Sequence, residues 1–381
     1  MAVKLIIFKE SITMEKILLI SFEYPSGKTY CGGVGQIVER CRNTLLDLGY
    51  EVYVLVSSEF TKKHPVKLLL PDNSLKNYTS FSVFLKNYNW HKFGTIIHHF
   101  VNWTKELKKI KARKDRRPKI IYHFHSILKR EKDSGFRTLN YFLLNQERMI
   151  ELADKIICPS LYEYDNFSRY FPSFLNKVFV IENTIESFPR NNFKIKEIKE
   201  KLNIRRNDIV SLYVGRLEKI KGAHILLNEI PGIFDRHRHL KLIFIGKSLE
   251  KSLYNKLLQV SKKFPKQFFY KRYLDKNELF QHYYLSNIYI NSSLSESFSL
   301  STHESALCNN TLLLNQLPVF EKFKEAALFF NLKEHDFSSK YETLIKNASL
   351  RAKLSKKANI IANRFLNRNR LKEDLHKLFH G

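Results

Sequence analysis

Two acids, Glu296 and Glu304, bracket the small-residue run Ser297-Phe298-Ser299-Leu300-Ser301-Thr302-His303. The preceding Asn287-Ile288-Tyr289-Ile290-Asn291 is β-branched and aromatic and reads as a strand, and Glu304-Ser305-Ala306-Leu307 continues as a helix. A strand, a turn and a helix start make a place for an anion: the first helical N–H groups are unpaired and the dipole end is positive, so a diphosphate can be held by the backbone around Ser299, Leu300 and Ser301. Carboxylates on either side suit sugar hydroxyls. The same residues also spell a capping box, Ser301-x-x-Glu304, in which the acid only closes the first helical turn. Both readings stand on local grounds.

These residues need a sheet to position them. Lys16-Ile17-Leu18-Leu19-Ile20-Ser21 is an apolar strand, Gly33 to Arg40 opens a helix that stops at Leu48-Gly49-Tyr50, and Glu51 to Val56 is the next strand. This order begins a doubly wound parallel sheet. The connecting loop carries Cys31-Gly32-Gly33-Val34-Gly35, where Gly32 and Gly33 let a backbone come close to a ligand. Further on, a helix is expected from Trp90 to about Lys114 with a strongly basic exposed face. The strand Lys119 to Ser126 delivers His125 at its C-terminal end, the side on which open parallel sheets bind ligands. Short strands follow at Ala153–Ser160 and Lys177–Thr184, then a polar linker between Glu186 and Arg206. A second β-α-β pass starts at Asp208 to Arg216, with strands near Lys241–Ser248 and Phe268–Tyr270. After Leu313 the pattern reads as helical, ending in a long surface helix from Leu354 to Phe379.

At 381 residues and 44% hydrophobic content the chain can build two cores. The expected division is 1–188, an N-terminal domain with 1–13 as an extension; 189–358, a C-terminal domain; and 359–381, a helix packing back on the first domain. A formal charge of +28 draws nucleic acid, anionic membrane or anionic metabolites without choosing among them. No zinc-finger or RNP pattern supports nucleic acid as the partner. Cys31, Cys41, Cys158 and Cys308 are scattered, which suggests neither a metal site nor a disulfide framework and fits a reducing cytoplasm. No stretch is a membrane span or a convincing signal peptide.

Gly215-Arg216-Leu217-Glu218-Lys219-Ile220-Lys221-Gly222, followed by Glu296 to Glu304, resembles the motif pair of the retaining GT-B glycosyltransferases, in particular glycosyltransferase family 4. Cys31 to Gly35, His123-Phe124-His125, Ala153 to Ser160 and Val180-Ile181-Glu182-Asn183 extend the likeness over most of the chain. Phe22-Glu23-Tyr24-Pro25 with Lys28-Thr29 is also similar to glycogen and starch synthases. The resemblance implies an α/β GT-B fold, two Rossmann-like domains facing across a crevice. It also implies transfer from a nucleotide sugar, with a UDP-sugar the expected donor and substrate, no cofactor and no metal. Arg216 and Lys221 would neutralise the diphosphate, an Arg fork and a Lys point charge standing in for a cation. On the same resemblance Glu296 and His125 would contact the donor sugar, Glu304 the ribose, and Gly215, Gly32, Gly33, Ser299, Leu300 and Ser301 would line the nucleotide and acceptor path. With no positioned nucleophile, same-face attack with retention is expected.

The chain departs from the family where its glycine is Ser299 and where the usual Ala-Cys-Gly-x-Pro continuation is Leu307-Cys308-Asn309-Asn310-Thr311. A later Gly-Gly loop is replaced by Leu317-Pro318-Val319-Phe320-Glu321. Three functions follow. One is an enzyme acting on a cell-surface glycan or lipid-linked acceptor, cytoplasmic and peripheral on the inner face of an anionic membrane. Another is an enzyme acting on a soluble sugar or glucan, and the third an inactive GT-B-shaped binding protein.

Overall fold

Runs such as Ile17-Leu18-Leu19-Ile20 have no polar alternation, so they suit strands covered on both faces, and strands of this kind build both halves of the molecule. The computed structural model describes residues 15–25, 32–57, 65–113, 117–136 and 138–380. The expected extension 1–13, Lys28-Thr29 and Cys31 lie outside the described residues.

The N-terminal half opens with β1 (Lys16–Ser21), α1 (Gly33–Asp47), β2 (Glu51–Val56), β3 (Val66–Leu69), β4 (Leu75–Tyr78) and α2 (Phe81–Asn87). It continues through β5 (Phe93–His98), α3 (Thr104–Lys111), β6 (Lys119–His123), α4 (Leu128–Asp133), α5 (Asn140–Leu152), β7 (Lys155–Cys158), α6 (Leu161–Tyr170) and β8 (Val178–Val180). These strands form one sheet in the order β4-β3-β2-β1-β5-β6-β7-β8, parallel except where β3 pairs with β2 and β4.

The C-terminal half begins with α7 (Asn192–Lys201), β9 (Ile209–Val214), α8 (Ala223–Arg236), β10 (Leu240–Ile245), α9 (Lys251–Lys263), β11 (Phe268–Lys271) and α10 (Lys276–Leu285). After β12 (Ile288–Asn291) come α11 (Leu300–Leu307), β13 (Thr311–Asn315), β14 (Ala327–Phe330), α12 (Phe337–Lys346), α13 (Ala348–Asn363) and α14 (Arg368–His380). Its sheet is parallel throughout, in the order β11-β10-β9-β12-β13-β14. The fold is therefore two Rossmann-like sheets. Strand order reverses between β9 and β12 in one sheet and between β1 and β5 in the other, and ligands bind outside the carboxyl ends of strands at such points.

Several elements differ from the sequence expectation. The helix expected from Trp90 to Lys114 is a short turn of 3-10 helix, the central strand β5 and the eight-residue α3. Thr95-Ile96-Ile97 is β-branched and fully covered, and the flanking lysines hid a strand that a central position requires to be apolar. On α3, Leu107 and Ile110 point inward and Lys105, Lys108 and Lys109 outward. After Leu313 the chain is not uniformly helical: β13 runs to Asn315 and β14 adds the last strand. The polar linker contains α7, capped by Asn191 accepting from Lys194 N. The long terminal helix is broken at Arg364–Leu366 into α13, which runs through residue 358, and α14.

That break lets α14 return to the first half. Leu371, Leu375 and Leu378 are buried with Val38, Cys41 and Leu45 of α1, and Arg370 pairs with Glu182 at 3.2 Å. Burying each leucine contributes about 1.5–3 kcal/mol. The two sheets are thus held facing one another.

Candidate active site

At the end of β9, the loop from Gly215 to Gly222 lies directly on the loop after β12. Gly222 has φ +66, and a Cβ there would sit 1.7 Å from Ser292 O, so no larger residue fits. The close approach brings Lys221 Nζ to 2.8 Å from Glu296 Oε1. Ser293 Oγ donates to the same oxygen at 2.8 Å, and Tyr213 OH donates to Lys221 O at 3.0 Å. Arg216 stands at the edge of the crevice, its side chain 45% exposed and 3.3 Å from Glu218.

Helix α11 starts beside this pair. Its N-cap is Ser299, at φ 67, with no side-chain cap bond, so the Ser301-x-x-Glu304 capping box does not form. The left-handed conformation that a glycine would take freely is held by hydrogen bonds: Asn291 Nδ2 donates to Ser299 Oγ at 3.0 Å, and Ser299 Oγ lies 2.8 Å from Thr302 Oγ1. Ser301 Oγ accepts from Tyr289 OH at 2.7 Å. Behind the turn, Phe298 and His303 stack with ring centroids 4.1 Å apart. Leu300 reaches across the crevice, its Cδ1 3.5 Å from where a Gly33 Cβ would be.

On the facing side, Glu23 fills the start of α1: its two oxygens accept from Gly32 N at 2.9 Å and Gly35 N at 3.1 Å. A carboxylate therefore already occupies the glycine loop's backbone donors. His125 is half-buried in a cluster with the buried His99 and His123, 3.3 Å from His99 Nδ1 through its Nε2. Burial pushes the His125 imidazole down to about 3, so it is neutral and can donate or accept but carries no charge. Burial also raises the Glu131 carboxyl, opposed by Arg130 and by the facing cations Lys221 and Arg216.

The halves touch at the acids themselves. Arg130 pairs with the buried Glu163 at 2.9 Å and donates to Tyr162 OH at 2.8 Å and towards Glu296 O at 3.5 Å. Ser160 Oγ donates to Ser297 O at 2.9 Å. Between these contacts lies a cavity of 440 Å³ bordered by Arg130, Arg169 and Tyr170 on one side and Ser295, Glu296 and Pro318 on the other. Glu304, 3% exposed, accepts from Tyr283 OH at 3.3 Å and sits 3.6 Å from Arg40 Nη2 of α1. Burial raises its carboxyl, with Arg40 and Lys276 opposing.

Two family models cover most of the chain: Glycosyltransferase Family 4 matches residues 31–187, and Glycosyl transferases group 1 matches residues 194–360. The chain is a glycosyltransferase with the GT-B fold. Alpha-monoglucosyldiacylglycerol synthase of Acholeplasma laidlawii is 24% identical over 365 residues, covering 86% of this chain and 88% of that protein. Among solved structures, sucrose-phosphate synthase from Thermosynechococcus elongatus superposes with a TM-score of 0.77 at 14% identity, covering 96% of this chain and 98% of that one. Anabaena HepE in complex with UDP-glucose gives 0.69 at 17% identity, covering 96% and 99%.

In this glycosyltransferase, Lys221, Glu296 and the start of α11 come together, and Gly33 meets Leu300. His125 makes its contact within its own half, Arg216 turns to Glu218, and Glu304 turns to Arg40. The sequence reading left Arg40, Glu131, Arg130 and Ser293 without roles. Ser293 has a signal, since Ser292-Ser293 directly follows a strand in the motif region. Arg40 has none: one basic residue in a basic chain acquires meaning only when α1 is docked against α11.

Proposed function

We propose that this glycosyltransferase moves a hexosyl group from a nucleotide sugar, a UDP-sugar, to a glycan or lipid-linked acceptor, with retention and without a metal at the diphosphate. The observation that carries the reading is the Lys221–Glu296 pair at 2.8 Å, set beside the N-terminus of α11 and opposite the glycine loop. On donor binding Lys221 and Arg216 turn to the diphosphate oxygens while the first N–H groups of α11 receive the remaining charge. Glu296, fixed by Ser293, orients the sugar hydroxyls. His125 contacts the sugar from the facing half, and Glu304 exchanges Arg40 for ribose. Attack on the face that the diphosphate leaves lets a departing phosphate oxygen take the acceptor proton, which gives retention. The two cations supply the charge that a divalent ion would otherwise bring, so turnover persists in chelator.

The HepE complex holds UDP-glucose, which favours a UDP-hexose donor, and the Acholeplasma relative is named for a glucosyl lipid, which favours a lipid-linked acceptor. Among the described residues no helix is long and apolar enough to cross a membrane, and the lysines of α3 offer a basic face for an anionic surface.

A thermal-shift and donor-hydrolysis screen over UDP-, GDP- and ADP-sugars tests the donor, since a ligand bound to the native state raises its melting temperature. A UDP-hexose should raise it most and be turned over in EDTA. Absence of hydrolysis with every donor would favour a binding protein. Sedimentation with anionic vesicles at low salt tests the membrane face; failure to bind would favour a soluble acceptor.

A further inference from the structure

We propose that His99, His123 and His125 form a three-imidazole binding site for a divalent cation of the zinc class, on the N-terminal side of the crevice. His99 follows β5 and His123 ends β6, with His98 paired to Tyr122 in the parallel register, so His99 and His123 are neighbours across the sheet. His125, two residues beyond the end of β6, stacks its ring on that of His123. The ring centroids are 4.8 Å apart for His99–His123, 4.7 Å for His123–His125 and 5.4 Å for His99–His125. One ligating nitrogen from each ring lies within 4.8 Å of the others. A tetrahedral zinc site with bonds near 2.0–2.1 Å separates its nitrogens by about 3.3 Å, a contraction that ring rotation supplies.

The polar accounting of the cluster points to a ligand. Apart from the His99–His125 contact, His99 Nε2, both nitrogens of His123 and His125 Nδ1 are buried with no hydrogen-bond partner. Buried polar groups are ordinarily satisfied, and four orphans in one cluster are more than packing explains. Burial holds all three imidazoles neutral, the form that ligates a metal. Imidazole nitrogens with no carboxylate in the set select zinc-like ions over magnesium or calcium, which take oxygen ligands. Three protein ligands leave a fourth position for water or a hydroxyl. The three imidazoles belong to the N-terminal sheet, whereas Arg216 and Lys221 follow β9 of the C-terminal sheet. Bound metal engages His125 and removes it from the donor sugar, which makes the cation an inhibitor; that consequence rests on the proposed role of His125, whereas the binding itself does not.

The test uses the full-length protein stripped with chelator and titrated with Co2+. The expected result is one Co2+ per chain with the visible absorption of a tetrahedral nitrogen-ligated ion, displaced by Zn2+ and not by Mg2+. His99→Phe and His123→Phe, which keep a ring in each place, should each weaken uptake at least tenfold, with His123→Asn as the alternative should the aromatic variant not fold. Absence of stoichiometric uptake, or uptake unchanged in both His99 and His123 variants, overturns the proposal. In the activity arm Zn2+ should inhibit donor turnover by the wild type and at least tenfold less by His99→Phe. Stoichiometric binding without inhibition would keep the site and overturn the role given to His125.

Discussion

Around β12 and the start of α11, polar side chains are paired with one another: Asn291 with Ser299 and Thr302, Tyr289 with Ser301, and Lys221 and Ser293 with Glu296. Around the ends of β5 and β6, on the facing side, five ring nitrogens of His98, His99, His123 and His125 have no partner and a carboxylate sits in the glycine loop. The two halves share an architecture but not a degree of preparation. A paired network fixes donors and acceptors before substrate arrives, which is what transition-state stabilisation by fixed charges requires. An unpaired cluster is held in place by the strands beneath it and gains when something binds. On the proposed function the C-terminal half acts on a diphosphate, and on the proposed cation site the N-terminal half receives a ligand.

Acid should separate them most. A histidine whose folded value is lowered binds its proton only in the unfolded chain, so its contribution is intact above the unfolded value of about 6.5 and is lost as pH falls towards the folded one. His98, lowered to about 4, and His125, lowered to about 3, lie in the N-terminal half, where His99 and His123 are also held well below the ordinary value. The facing site has His303, lowered to about 3. At pH 5 each such group costs about 2 kcal/mol. Hydrogen exchange at pH 5 should therefore deprotect β5 and β6 before β12 and α11; simultaneous deprotection would break the contrast.

Next in size is the contact between the halves. Arg40→Leu leaves Glu304 buried without its cation and should lower unfolding stability by about 3 kcal/mol in a urea titration. Lys221→Ala follows, cutting turnover on the order of a hundredfold or more while moving the melting midpoint little, because the cost falls on the transition state. Unchanged turnover with a verified donor would sink the assignment of the paired network to catalysis. The smallest effect belongs to Ser299. Ser299→Gly relieves the left-handed backbone but forfeits two hydrogen bonds, for a net change within about 1 kcal/mol, whereas Ser299→Ala keeps the strain and loses the bonds, costing about 1–2 kcal/mol.

The meeting of Lys221 with Glu296 was legible because the two lie in short stretches that carry the family resemblance, Gly215 to Gly222 and Glu296 to Glu304. Apolar runs such as Ile17 to Ile20 also declared themselves as buried parallel strands. β5 did not, since Phe93 to His98 is short and sits among lysines and aromatics that suggest a helix; only its place between β1 and β6 explains its composition. β14 was hidden for a similar reason, its four residues lying in a segment read as helical. The Glu304 cap failed because local spacing cannot show that Arg40, from the other half, offers a burial partner. Long-range charge pairing has no local signature.

The Arg40–Glu304 bridge has one more consequence. If the ribose is to reach Glu304, the nucleotide must first displace a guanidinium belonging to the opposite half, so measured donor affinity is a difference between two competing occupants of one carboxylate. Arg40 also lies 3.8 Å from Glu186, which Lys276 holds at 2.6 Å, and Lys276 is 3.8 Å from Glu39. Changes along this relay of surface and buried charges alter how firmly Arg40 competes. On the proposed ribose role of Glu304, donor affinity is thereby tunable from residues that never meet the donor.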